Sequence, residues 1–318
     1  MKNARITVLM SVYNAEKFLR EAIDSILNQS FKDFEFLIIN DGSTDKTARI
    51  LQGYHDPRMN IINNKVNIGL TRSLNKGLRI AEGEYIARQD ADDVSVSKRL
   101  DKQYNYLEKH RQIFLVGSGA YNMNEKGKIE TIWNPLTSSE LIKKTLYINN
   151  CIYHPTIMFR NEENIFYREK FIYTQDYDLY LNLLSKGKKL DNINESLIWY
   201  RINPEGISYT KKPKQKLFEV KAREFYHQRL KYGKDKYKSF DPNEILSIDI
   251  EKSTDKVVLE AEIEASIQLN DQKRIRKICK IYFKYYGFIN KFLFYYLLSF
   301  SRYGISVSRT KNILRKYL

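Results

Sequence analysis

Hydrophobic and polar positions follow two alternating rhythms over the first two hundred residues. Ile6 to Tyr13 is a continuous apolar run, the pattern of a strand buried on both faces. Ala15 to Gln29 then sets Phe18, Leu19, Ala22, Ile23, Ile26 and Leu27 at helical spacing. Phe34 to Ile39 predicts a second buried strand. It closes on Asn40-Asp41-Gly42-Ser43-Thr44-Asp45, a turn signal leading into a helix over Thr47 to Leu51. Met59 to Ile62 predicts a short third strand, Leu70 to Ala81 a helix, and Tyr85 to Ala87 a fourth strand. Strands and helices alternating through short connections predict an α/β fold, a mostly parallel sheet with helices on both faces.

After Asp93 the rhythm changes. The pattern predicts a helix over Ser97 to His110, a strand over Ile113 to Gly117 and a hairpin over Tyr121 to Trp133. A short strand over Thr156 to Arg160, a helix over Gln175 to Ser185 and a strand over Leu190 to Tyr200 follow. From about Lys211 the chain is lysine-rich and helical, with no further strand alternation. The expected domains are therefore an α/β unit over 1–210 and a basic, aromatic-rich helical region over 211–318.

Composition narrows the partners. With 42% hydrophobic residues in 318, the chain can bury a sizeable core. A formal net charge of +16 implies anionic partners: nucleic acid, nucleoside diphosphates or an acidic membrane face. Cys151 and Cys279 provide neither a disulfide framework nor a metal spacing, which suits a reducing cytosol. The apolar stretch at the start is too short for a secretion signal and reads as the first strand. No run of about 18 uncharged apolar residues predicts a spanning helix. A cytoplasmic location is expected.

Three carboxylates, Asp90, Asp92 and Asp93, follow the fourth predicted strand within four positions. Like charges so close disfavour mutual ionisation unless a counter-charge is present. One reading is a solvated loop with Asp93 near a helix cap. The other is a divalent cation held at the carboxyl end of a strand, where open α/β sheets bind ligands.

The stretches SVYNAEKFL, INDGSTDKT, NIGLTRSLNKGL, GEYIARQDADD, HPTIMFR, QDYDLYLNLLSKG and ESLIWYRI occur in one order between Ile6 and Ser208. In that order the chain resembles family 2 glycosyltransferases of the GT-A fold, including bacterial enzymes that build capsule, O-antigen and lipo-oligosaccharide. The resemblance implies inverting transfer of a sugar, of N-acetylhexosamine or galactose type, from a nucleoside-diphosphate donor such as a UDP-sugar. The acceptor would be a hydroxyl of a glycan or lipid-linked glycan. It further implies that Asp90-Ala91-Asp92 is an Asp-x-Asp signature. Asp92 would then ligate Mg²⁺ or Mn²⁺ directly, with Asp90 on the ribose or the metal's water shell.

By the same resemblance Asp41 accepts from the ring N–H of uridine, against an Asx-turn reading of that residue. Tyr13, Asn14 and Glu16 would line the nucleotide site, although Tyr13 also reads as core packing. Asn67 and Arg72 flank the start of the third helix. A cation in a first turn is unfavourable for the helix dipole, so Arg72 is expected to face a diphosphate rather than serve as a plain surface charge. Arg201 is a second diphosphate candidate. Asp176 is the expected base, against the reading of a helix cap. Gln175 stands where the family usually has Glu, and Asn203 where it often has His. His154 is either an auxiliary ligand or a structural histidine.

The tail stretch Ile281 to Phe300 is dense in aromatics interrupted by Lys284 and Lys291. It reads either as a basic amphipathic helix on the inner face of the plasma membrane, or as the core of a helical hairpin. Two other functions compete. A basic nucleic-acid-binding protein would need a recognition motif, and none is present, so no nucleic-acid partner is expected. A nucleotidyltransferase would need a glycine-rich phosphate loop at the first strand, which Ser11-Val12-Tyr13-Asn14 does not supply.

Overall fold

A computed structural model describes residues 4–300. The first half is β1 (Ile6–Val12), α1 (Leu19–Leu27), β2 (Phe34–Asn40), α2 (Thr47–Gln52), β3 (Met59–Asn63), α3 (Leu70–Ile80) and β4 (Tyr85–Gln89). Next come β5 (Val94–Ser95), α4 (Arg99–Lys109), β6 (Ile113–Met123), β7 (Ile129–Trp133) and α5 (Ser139–Leu146). A 3₁₀ turn (His154–Thr156), β8 (Met158–Arg160), α6 (Gln175–Ser185) and β9 (Lys189–Arg201) complete the sheet region. The remainder holds α7 (Ile207–Thr210), α8 (Lys212–Tyr232), α9 (Asn243–Leu246), α10 (Lys256–Gln268), α11 (Gln272–Tyr286) and α12 (Asn290–Leu298).

The sheet runs β3-β2-β1-β4-β8-β6-β9-β5, with β7 on the edge of β6. Its first four strands are parallel, as the alternation predicts. β8 then lies antiparallel between β4 and β6, and β6 pairs with β9 in parallel, so the sheet as a whole is mixed. Ile6, Val8, Met10 and Val12 of β1 share a core with Leu19, Ile23 and Ile26 of α1. On β1's other face α3 approaches closely, because a Cβ on Gly77 would lie 2.2 Å from Leu9 Cδ1.

The chain forms two compact units, divided differently from the expected boundary at residue 210. One runs to Ile202 and takes in Ala222–Lys238; the other is Asn203–Lys221 with the chain from Ser239 onward. The division falls inside α8 for a packing reason. Phe225 sets its ring 6.1 Å from Phe171, while Phe218 packs 6.2 Å from Phe240. In the second unit, α10 and α11 bury Leu259, Ile263, Ile275, Ile278 and Tyr282 together with Phe292 of α12. The aromatic tail therefore breaks at Gly287 (φ +74°) into two helices, and part of its stripe is core. No described helix is long and apolar enough to cross a membrane.

Candidate active site

Parallel pairing brings the carboxyl ends of β1, β2 and β4 to one edge, with Val12 beside Asn40 and Met10 beside Gln89. The loops that follow carry Tyr13 to Glu16, Asp41 and the three aspartates. Such an edge is where open α/β sheets bind ligands. Tyr13 is 47% exposed, which removes the core-packing reading. Asn14 adopts a left-handed backbone (φ +48°), and its Oδ1 accepts from the Thr44 amide at 2.8 Å. Glu16 Oε2 accepts from the Lys46 amide at 2.9 Å. Both side chains therefore knit the β1 loop to the β2 loop.

Asp41 is buried, and its carboxylate holds the next loop in place. It accepts from Asn64 Nδ2 at 2.8 Å and from the amides of Ile68 and Gly69 at 2.9 Å. Gly42 makes this possible, since its φ is +68° and a Cβ there would lie 2.5 Å from the Val66 carbonyl carbon. Asn67 Oδ1 shares the Gly69 amide at 2.9 Å. Arg72 extends into solvent, 3.5 Å from Glu169 Oε2.

The aspartate loop is folded by Gln89, whose Nε2 donates to the carbonyls of Asp90 (3.0 Å) and Asp93 (2.9 Å). The buried Arg88 guanidinium pairs with Asp90. Burial and the neighbouring Asp90 push the Asp92 carboxyl up to about 6. Burial, Asp92 and Asp90 push Asp93 well above the carboxylate range. Asp93 Oδ1 accepts from the Arg201 amide at 2.8 Å, while its buried Oδ2 has no partner among the described residues. Asp93 thus orients the loop from inside and is not a solvated cap.

Arg201 departs from expectation. Its buried guanidinium lies 4.0 Å over the Phe18 ring and donates to the Asp92 carbonyl (2.9 Å), the Glu125 carbonyl (3.1 Å) and Glu21 Oε2 (2.6 Å). These three acceptors, two backbone carbonyls and the exposed Glu21 carboxylate, occupy the cation that was expected to face a diphosphate. Asn203 falls in the other compact unit, where its Oδ1 accepts from the Glu205 amide at 3.0 Å.

Asp176 lies in the first turn of α6, entered through Thr174 in a left-handed conformation (φ +60°). Asn150 Nδ2 donates to Asp176 Oδ2 at 2.8 Å. Two residues on, Asp178 is fully buried and held by a two-pronged ion pair from Arg168, a structural role. His154 Nε2 lies 2.7 Å from the Tyr167 hydroxyl. Burial and the Arg88 charge hold this imidazole well below its ordinary pKa, hence neutral. Tyr167 is raised by burial and is acted on by Arg88, Asp176 and Asp90. Charges of the aspartate loop and of the expected base, some 90 residues apart in sequence, thus both act on one buried phenol.

Asn150 and Tyr167 lay outside the sequence reading, because isolated polar residues have no spacing to betray them. Arg88 offered one signal, a charge inside an otherwise apolar strand. Among the described residues no three His, Cys, Asp or Glu side chains form a metal cage.

The family model "Glycosyl transferase family 2" matches residues 7–166. An uncharacterized glycosyltransferase of Methanocaldococcus jannaschii, MJ1057, is 38% identical over 69% of this chain and 78% of its own. The O-antigen biosynthesis glycosyltransferase WbnJ of Escherichia coli is 33% identical over 70% of this chain and 90% of its own. Among solved structures, that of S. aureus TarS with UDP-GlcNAc aligns with a TM-score of 0.55 at 16% identity. The alignment covers 93% of this chain and 90% of that one, a likeness of fold. The fold is the GT-A glycosyltransferase fold with a helical C-terminal region, and the chain belongs to glycosyl transferase family 2.

Proposed function

We propose that this glycosyltransferase is inverting and metal-dependent. It moves a sugar of N-acetylhexosamine or galactose type from a UDP donor to a hydroxyl of a growing surface glycan. The observation carrying this reading is the parallel pairing that brings the loop with Asp41 and the loop with Asp90-Ala91-Asp92 to one edge of the sheet, the edge where a nucleotide donor would sit. The UDP donor is supported by the likeness to TarS with UDP-GlcNAc, and the glycan acceptor by the name of WbnJ.

Asp176 takes the acceptor hydroxyl proton as that oxygen attacks the anomeric carbon. The bond to the diphosphate oxygen breaks on the opposite face, so a single displacement inverts the centre. The three hydrogen bonds that Asp41 accepts leave one of about four carboxylate lone-pair positions for the uracil ring N–H. Tyr13 is exposed for stacking on the base, and Asn14, Glu16 and Asn67 fix the loops around it. Arg72 faces the diphosphate, whereas Arg201 acts only through the loop it anchors.

The residues fit a hard divalent cation, Mn²⁺ or Mg²⁺. Asp92 and Asp90 offer oxygen donors, and Asp92 stays raised by burial and by Asp90 even with Arg88 and Arg201 acting on it; two carboxylates plus phosphate oxygens are a common magnesium set. When bound, the ion neutralises charge growing on the departing UDP. The enzyme works on the cytoplasmic side, on a glycan or lipid-linked acceptor, with its C-terminal region against the anionic inner face of the plasma membrane.

A thermal-shift series with UDP-, GDP-, dTDP- and CDP-sugars, each with and without Mn²⁺, tests the donor. A manganese-dependent rise with a UDP-sugar is expected. No rise with any nucleotide sugar overturns the donor site, and a product of retained anomeric configuration overturns the single displacement.

A further inference from the structure

Charge along the chain is far from even. Residues 272–318 hold twelve Lys and Arg and no Asp or Glu, which is most of the net charge of +16 in about a seventh of the length. Within this stretch α11 turns its apolar stripe inward as Ile275, Ile278, Cys279 and Tyr282. The next turn of helix leaves that core. Tyr285 is 52% exposed, Tyr286 42% and Phe288 74%, with Ile289 also exposed. From Lys284 to Lys291 every residue is exposed. Gly287, at φ +74°, ends α11 and presents these side chains on a tight turn before α12.

An apolar tip of this size in water needs an explanation, and its surroundings supply one. Lys280 and Lys284 are exposed at the end of α11 and pair with no acidic side chain among the described residues. Lys284 Nζ sits 5.3 Å from the Tyr285 ring centroid, so the cation lies beside the aromatic and points away from the core. Aromatic rings at a tip with lysines above them suit the interface of a bilayer. There the rings and Ile289 enter the headgroup boundary while each nearby cation is attracted by anionic lipid. A nucleic acid would use the rings for base stacking but gains little from Ile289.

We propose that the turn Tyr285–Ile289 is a membrane-insertion element for bilayers containing anionic lipid, with Lys280 and Lys284 as its electrostatic collar. Its purpose rests on the reading of a membrane-borne acceptor, but its physics does not. The element is a wedge at the junction of two helices rather than one helix lying flat.

The test is co-sedimentation of the full chain with phosphatidylcholine vesicles, with and without phosphatidylglycerol, beside binding to a poly-uridine RNA. Binding only to the anionic vesicles is expected. It should fall at least tenfold in the double variant Phe288→Ser with Ile289→Ser, and persist in Phe288→Trp. Both positions are exposed, and an unchanged melting point and nucleotide-sugar shift would show that the variant is folded with its donor site intact. Equal vesicle binding by the parent and the double serine variant overturns the proposal. So does an absence of vesicle binding, or RNA binding alone. A donor-site failure would appear in the nucleotide-sugar shift and leave sedimentation untouched.

Discussion

Asn150 donates to Asp176 Oδ2 at 2.8 Å while its own Oδ1 accepts from the Ile152 amide at 3.1 Å. The backbone contact fixes which way the amide faces, so the NH₂ group must point at the carboxylate. One oxygen of the proposed base is thereby held in register with the loop before the His154 turn. Asp176→Asn should keep donor binding and lower kcat by roughly 10²–10⁴-fold, the scale of a lost general base. Asn150→Ala should lower kcat about tenfold with little change in the donor KM, because it loosens the base without touching the nucleotide. Asn150→Asp should do worse, placing like charge on the base. Steady-state kinetics decides. A parental rate for Asp176→Asn would remove the base assignment.

Asp92 is costly to keep in the absence of a cation. Its carboxyl is pushed up to about 6, so at pH 7 it is ionised at the expense of folding, and stability is gained as pH falls from there toward 4. Asp92→Asn should therefore unfold at higher urea in EDTA at pH 7, by about 1–3 kcal/mol. The same variant should lose the manganese-dependent shift with UDP-sugar. A variant no more stable than the parent would mean that the cluster is already balanced.

His154 has the opposite sign. Its folded pKa lies well below 6.5, so beneath that value the unfolded chain takes up a proton that the folded chain refuses. Stability contributed by the neutral imidazole is present above about 6.5 and is lost as pH falls toward the depressed folded value, at up to about 1.4 kcal/mol per unit. His154→Gln should flatten the difference in urea midpoint between pH 7.5 and 5.5. Asp92 is common to both proteins, so its contribution cancels in the comparison. Equal slopes would show that His154 titrates as in the unfolded chain.

Arg168 is paired with the fully buried Asp178 and also with Asp235, 2.6 Å away. Burial raises Asp178 even with Arg168 beside it. Arg168→Met should destabilise by about 3–5 kcal/mol, since it strands a buried carboxylate. Arg168→Met with Asp178→Leu should recover part of that loss in chemical denaturation.

Local pattern carried the first half of the fold into plain view. β2 begins at Phe34 and α6 spans Gln175–Ser185 as predicted, because each is buried along most of its length and so reads as a dense apolar run. The strand expected over Thr156 to Arg160 is present as β8 (Met158–Arg160), but its antiparallel direction and the two-residue β5 were not legible, since so few residues hold no periodicity and their partners lie far along the chain. α5, capped by Ser138, was missed because its turns carry few apolar residues. In the site, Asp90, Asp92 and Asp176 stood out by motif. Arg201 was legible as a charge, but the carbonyls that engage it come from distant loops and leave no mark beside it. Asn150 and Tyr167 matter only through what the fold brings to them.

The Arg201 contacts also set an order of events. The carbonyl of Asp92, the turn at Glu125 and the carboxylate of Glu21 all await a side chain at the very end of β9. Closing contacts that span up to 180 residues is entropically slow. During synthesis β1 to β4 can pair early and Gln89 can fold the aspartate loop locally, yet the loop lacks its long-range contacts until residue 201 has emerged and docked. The loop carrying Asp90 and Asp92 thus reaches its final set of contacts late, and the sheet's last long strand serves as its timer.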